Sequence, residues 1–136
     1  DIRHTKGSQT DEELMETFGL NTMMQKRMRT LSGGTRQKVS ASLAFMFNPS
    51  VLILDEPTAG LDPVASGILK EKIVAEKEKG KLIIITSHVL SELDDLVTQI
   101  IYMQEGKLKF HKSIQALHAD TGETQLTRAI ASIMIN

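Results

Sequence analysis

Val51-Leu52-Ile53-Leu54-Asp55-Glu56-Pro57 is the stretch on which the fold turns. An unbroken apolar run lies between the turn residues Asn48-Pro49-Ser50 and a proline. A short run of this kind is expected to be a strand buried on both faces, as in parallel sheets. Two carboxylates then stand at its carboxyl end, where open α/β sheets bind ligands. Adjacent acids repel unless a cation or a proton relieves them. A phosphate-bound Mg²⁺ would do so: one acid holds the ion, usually through water, and the next polarises an attacking water. Taken alone, the stretch also fits a strand that ends in solvated acids before a proline turn.

Outward from this strand, helices and strands alternate. Pro63 suits the first turn of a helix running to about Lys79 before Gly80, and Lys81–Thr86 reads as a second buried strand. Ser87 to Leu96 is expected to be helical, with Ser87 as its cap. Gln99–Met103 and Lys107–His111 read as paired strands about a Glu105-Gly106 turn, followed by short helices near Ser113–Ala119 and Leu126–Ile133. Upstream, Thr10-Asp11-Glu12-Glu13 reads as a capping box in which Thr10 caps and Glu13 reaches back. Leu14, Met15 and Phe18 follow at helical spacing, and Gly19 stops that helix. A short helical stretch over Thr22–Met28 leads to a helix from about Gly34 to Phe47. The fold class is therefore α/β with a parallel core sheet, ending in a short antiparallel and helical piece. An all-helical first fifty residues is natural for a helical insertion.

Composition excludes several classes. The chain has 136 residues, 40% hydrophobic, with no Trp and 4% aromatics, so aliphatic residues and Met must build the core. A formal net charge of -1 gives no electrostatic case for nucleic acid or a bare anionic membrane. With 0 Cys there is no disulfide framework or thiolate metal site. No apolar run approaches the ~20 residues that span a bilayer. The opening Asp1-Ile2-Arg3-His4-Thr5-Lys6-Gly7 has no apolar core of a signal peptide, and the missing initiator Met hints at a fragment.

Three further motifs carry chemistry. In Leu31-Ser32-Gly33-Gly34, two glycines just before a helix let backbone N–H groups approach an anion. Ser32 adds a hydroxyl, although an ordinary serine cap after a flexible loop reads the same way. In Thr86-Ser87-His88, the His beyond a core strand can donate to a γ-phosphate or hold the water-activating acid, or simply occupy the first turn of a helix. In Gly60-Leu61-Asp62-Pro63, a glycine turn and an Asp helix cap are the bland alternative.

Taken in order and spacing, these motifs closely resemble the ATP-binding cassette family, from about Asp11 onward. Leu31-Ser32-Gly33-Gly34-Thr35 is similar to its signature, with Thr35 where Gln is commoner. Leu52-Ile53-Leu54-Asp55-Glu56-Pro57 is similar to its Walker B strand and catalytic glutamate, Ala59-Gly60-Leu61-Asp62 to its D-loop, and His88 to its switch histidine. The resemblance implies Glu56 and His88 as catalytic residues, Ser32, Gly33, Gly34 and Asp62 as ATP-binding, and Asp55 as a Mg²⁺ ligand, through water. It implies a P-loop NTPase fold, divided at about 1–47 (helical subdomain with the signature) and 48–136 (ATPase core). ATP and Mg²⁺ are the implied cofactors.

The implied partners are a second ATPase subunit, in a homodimer, and a transmembrane permease. The implied location is cytoplasmic, peripheral at the inner face of the membrane. No Gly-x-x-x-x-Gly-Lys-Ser/Thr occurs in the chain, so a truncation that removes the P-loop is expected, with the chain inactive alone. Arg36-Gln37-Lys38, Ala59 and the short tail resemble prokaryotic exporter-type subunits, including those of copper or nitrous-oxide-reductase maturation. Met23, Met24 and Met28 are read as helix core or subunit contact rather than a copper site. His4, His111 and His118 are read as structural or solvated. The competing function class is a non-transport cassette protein or an inert partner-binding remnant.

Overall fold

A computed structural model describes residues 10–135. Asp1–Gly7, His4 included, lie outside the described residues. The chain forms two compact units, Asp1–Thr86 and Ser87–Asn136. The expected helical segment 1–47 shares the first unit with both core strands.

In the first unit, α1 (Glu13–Thr17) packs against α2 (Gly33–Met46), α2 against β1 (Val51–Asp55), and α3 (Pro63–Glu78) against β2 (Leu82–Thr86). β1 and β2 pair in parallel with Val51 opposite Leu82 and Asp55 opposite Thr86. A parallel pair needs a crossover connection, and α3 supplies it. Leu52 and Leu54 of β1, Phe45 of α2, and Ala65, Leu69 and Ile73 of α3 are buried. The Ala65, Leu69 and Ile73 spacing is one face of a helix.

Neither strand is buried on both faces as the apolar runs predicted. Both alternate: Ile53 is 70% exposed and Leu82 58%, with Val51 and Ile84 also exposed. One face of the pair meets the helices, and nothing among the described residues covers the other.

The capping box at Thr10 does not form. Thr10 Oγ1 donates to Glu12 Oε1 (3.1 Å), and Asp11 Oδ1 accepts from the Glu13 N–H (3.2 Å). Glu13 is drawn away by Lys72 Nζ (2.6 Å), which also bonds Asp11 (2.6 Å) and Glu76 (3.3 Å). Glu76 is fully buried and bonds Lys79 (2.7 Å) and Lys81 as well. Burial pushes the Lys72 ammonium down, but its bonds to Asp11, Glu13 and Glu76 outweigh this and hold it above the usual lysine range. Burial pushes Glu76 up, but Lys79, Lys81 and Lys72 outweigh that and bring it to about 2. Long-range charge pairing thus overrode a local capping signal. The stretch expected to be helical over Thr22–Met28 is two 3₁₀ turns, Leu20–Met23 and Met28–Thr30, after Gly19 at φ 65°. Met24 and Met28 are exposed rather than core.

In the second unit, β3 (Gln99–Gln104) and β4 (Lys107–Ser113) form an antiparallel hairpin about Glu105 (φ 51°) and Gly106 (φ 70°). Positive φ at both turn residues matches the twist of a two-residue hairpin. Ser113 caps α4 (Ile114–Thr121) by accepting from the Ala116 N–H at 3.1 Å. The core is Leu117, Leu126, Ala129 and Ile130, joined by Leu93, Ile100, Tyr102 and Phe110.

The helix expected from Ser87 to Leu96 is only a 3₁₀ turn, Leu90–Glu92. Ser87 Oγ accepts from the Val89 N–H (3.0 Å), closing a tight turn. Asp94 Oδ1 accepts from the Leu126 N–H (2.7 Å) at the start of α5 (Leu126–Ile135).

Candidate functional site

Asp55 and Glu56 leave the carboxyl end of β1 as the sequence implies. Asp55 is exposed, and its Oδ1 accepts a short hydrogen bond from the Thr86 hydroxyl across the strand pair. Glu56 departs from strand geometry at φ 45°, a region that costs a non-glycine residue of order 1–3 kcal/mol. Its N–H donates to the Thr86 carbonyl (3.0 Å) with the Thr86 hydroxyl at 3.3 Å. Thr86 therefore holds the Asp55 carboxylate and the Glu56 main chain, a role that the sequence reading missed because the pairing is set by strand register.

No cluster of three or more His, Cys, Asp or Glu able to hold a metal occurs among the described residues. The exposed carboxylate of Asp55, fixed by Thr86, fits a hard cation that brings its own water and phosphate ligands, the habit of Mg²⁺. It does not fit a metal caged by protein alone.

Ser32 caps α2. Its Oγ accepts from the Thr35 N–H (3.2 Å) and lies 2.8 Å from Thr35 Oγ1. The side chain at the position where Gln is commoner is thus turned back on the cap. The first helical main-chain bond runs from the Arg36 N–H to the Ser32 carbonyl (2.9 Å), so the Gly33 and Gly34 amides belong to the turn that has no intrahelical acceptors.

The two glycines differ. A Cβ added at Gly34 would lie 2.9 Å from the Gly60 carbonyl oxygen, whereas at Gly33 it would meet nothing. Packing within the chain requires glycine at 34. At 33 neither packing among the described residues nor a positive φ requires it.

Asp62 caps α3, Oδ1 accepting from the Ala65 N–H (2.9 Å), while Oδ2 takes Lys38 Nζ (3.3 Å). The Ala65 hydrogen bond first, then Lys38, holds its carboxyl below the usual range. The cap that the sequence offered as the bland alternative is present, and both oxygens have partners.

Gln37, to which the sequence reading gave no place in the site, donates from Nε2 to the carbonyls of Glu56 (3.1 Å) and Pro57 (2.9 Å). Gly34, Gln37 and Lys38 share one face of α2 by helical spacing and meet Gly60, the Glu56–Pro57 turn and Asp62 respectively. His88 belongs to the second unit and is exposed. His111 is 2.6 Å from Gln99 Oε1 and lies in the hairpin; His118 lies in α4.

A carboxylate pair at the end of a parallel strand, beside a serine-capped helix that opens on two glycines, is the arrangement of a nucleotide-binding α/β protein. A family model described as ABC transporter matches residues 2–59. The chain is 40% identical over 118 residues to the human phospholipid-transporting ATPase ABCA3, covering 87% of this chain and 7% of that protein. It is 30% identical over 124 residues to the ABC transporter ATP-binding protein NatA of Bacillus subtilis strain 168, covering 91% of this chain and 50% of NatA. A solved structure of the ATP-binding subunit of an ABC transporter superimposes with a TM-score of 0.81 at 26% identity, covering 89% of this chain and 51% of that one. The chain belongs to the ATP-binding cassette family, as part of its α/β nucleotide-binding domain.

Proposed function

We propose that this chain is the signature-bearing part of an ATP hydrolase that drives a transporter, acting in a dimer of cassettes bound to a membrane permease. The observation that carries the reading is the end of β1, where Thr86 holds the Asp55 carboxylate and the Glu56 main chain while α2 grips the same turn through Gln37. In this reading Glu56 accepts the proton of the attacking water, as a general base contributing about 10²–10⁴-fold. His88 donates to the γ-phosphate or steadies that water-activating acid. Asp55 would hold Mg²⁺ through water, and the charge supplied there would offset that of the phosphates.

Ser32, Gly33 and Gly34 face the nucleotide of the second cassette, a second copy of this subunit in a homodimer. The uncompensated glycine at 33 supports this assignment. Asp62 anchors the loop 59–62 on the nucleotide side. Residues 1–47 contribute to a helical subdomain and 48–136 to the ATPase core.

The chain spans about half of NatA's length and contains no P-loop motif. Mg-ATP turnover is therefore assigned to the complete cassette, and the chain alone is inactive. No helix among the described residues is long and apolar enough to cross a membrane. The permease supplies the membrane path, and the cassette sits against its cytoplasmic side.

The test is phosphate release by the complete cassette against Mg²⁺ concentration, for wild type and Asp55→Asn. The reading expects the variant to need at least ~10-fold more Mg²⁺, the scale seen when a metal site loses support. Unchanged Mg²⁺ dependence would remove Asp55 from this role. Co-purification of the cassette with a permease, and turnover that responds to transport substrate, test the coupling. A cassette that turns over ATP but never associates with a membrane partner would contradict it.

A further inference from the structure

Glu56 is gripped from two sides. Its N–H is bound by the β2 carbonyl of Thr86 at 3.0 Å, and its carbonyl is bound by Gln37 of α2 at 3.1 Å. The same amide nitrogen of Gln37 donates its other proton to the Pro57 carbonyl at 2.9 Å. Glu56 sits at φ 45°, a conformation that persists only where the surroundings over-determine it.

On the carbonyl side the Ala59 N–H donates to the Glu56 carbonyl at 3.1 Å from within the turn, and rotation of the turn as a whole would still swing the carboxylate. Gln37 adds the tie from outside the turn, fixing two successive carbonyls to α2 with one planar group. The half-buried position of Gln37, on the α2 face that also bears Gly34 and Lys38, keeps the contact out of competing water.

We propose that Gln37 is a positioning residue for the Glu56 carboxylate: its amide holds the Glu56–Pro57 turn in the orientation needed to activate water, without itself touching nucleotide. This rests on the proposed catalytic role of Glu56. The chemistry asked of Gln37 is hydrogen-bond donation alone. Gln37→Met keeps the length and removes both donors. Gln37→Lys restores a donor nitrogen at similar reach.

The experiment is steady-state hydrolysis and equilibrium binding of a non-hydrolysable ATP analogue by the complete cassette. Gln37→Met is expected to lower kcat by ~10- to 100-fold, the scale of a displaced reacting group. KM for ATP and analogue affinity stay within about twofold, since no nucleotide contact is lost. Gln37→Lys recovers most of the rate. A melting curve reports whether each variant is folded. If Gln37→Met does not fold, Gln37→Glu, which places a carboxylate against two carbonyls, replaces it in the comparison with Gln37→Lys.

Glu56→Gln runs beside them. Normal hydrolysis by that variant would remove the catalytic role of Glu56 irrespective of Gln37. With Glu56→Gln inactive, any of three results overturns the proposal: a folded Gln37→Met with wild-type kcat, a loss of nucleotide affinity matching the loss of rate, or no recovery in Gln37→Lys.

Discussion

Replacing Gly34 by Ala should destabilise the cassette, and replacing Gly33 by Ala should not. In a helix, Gly→Ala ordinarily stabilises by about 0.5–1 kcal/mol through backbone entropy. At Gly33 nothing opposes that gain, because an added Cβ meets no atom within 4 Å. At Gly34 the Cβ would lie 2.9 Å from the Gly60 carbonyl oxygen. That atom is backbone, in a residue at φ 73°, so it cannot turn aside as a side chain would. Separation to an ordinary contact requires α2 and the 56–62 loop to part by about half an ångström, and overpacking of this kind costs ~1–3 kcal/mol. Setting the ~0.5–1 kcal/mol gain against it leaves Gly34→Ala less stable by up to about 2.5 kcal/mol, roughly 1 at mid-range.

The two variants should thus differ by ~1–3 kcal/mol in a denaturant titration read by far-UV circular dichroism, with unchanged m. Equal stability of Gly33→Ala and Gly34→Ala would refute the close approach of α2 to Gly60. The contrast also decides how signature variants are read. A charged side chain at 34 disturbs packing within its own chain, so contact with a partner's nucleotide is tested more cleanly at Gly33.

Three further outcomes are expected. Lys72→Met removes the cation shared by Asp11, Glu13 and Glu76 and should cost about 3 kcal/mol, the lower end for breaking a buried pair because Lys79 and Lys81 remain on Glu76; denaturant unfolding at neutral pH measures it. Glu76 sits at about 2 in the folded chain against an ordinary 4.5, so its ~3 kcal/mol contribution is fully present above the unfolded value and is lost as pH falls from about 5 to 2; in Glu76→Gln the unfolding free energy should lose that part of its acid dependence. Thr86→Val removes the donor to Asp55 and should raise the Mg²⁺ needed for half-maximal turnover by ~10-fold; an unchanged Mg²⁺ titration would show that this hydrogen bond does not matter to the ion.

What was legible in the sequence was local. Ser32 and Asp62 cap α2 and α3 because each is a short polar side chain just before a helix, bonding an amide three residues on. Glu105-Gly106 makes the hairpin because both residues accept positive φ. The order of acids, glycines and strands along the chain is enough to carry the family resemblance.

What was missed was long-range. A short apolar run does not report whether one face or two will be covered, and Val51 and Ile53 proved exposed. The polar residues of 87–96 looked like a helix start, but Ser87 closes a turn on Val89 and Asp94 caps a helix 32 residues away. Gln37 and Thr86 gave no signal because their partners are carbonyls and acids 19–31 residues distant. The Gly34 contact with Gly60 was likewise invisible, since glycines in such a motif suggest a ligand before they suggest a neighbouring loop.

The central claim is that Glu56 activates the water that attacks ATP, and single-turnover hydrolysis by the complete cassette carrying Glu56→Gln tests it most directly. A carboxamide keeps the size and the backbone contacts of Glu56 but cannot take the proton. The account predicts Mg-ATP binding at wild-type affinity with hydrolysis slowed by at least ~10²-fold. Hydrolysis at the wild-type rate, with ATP bound normally, would contradict it.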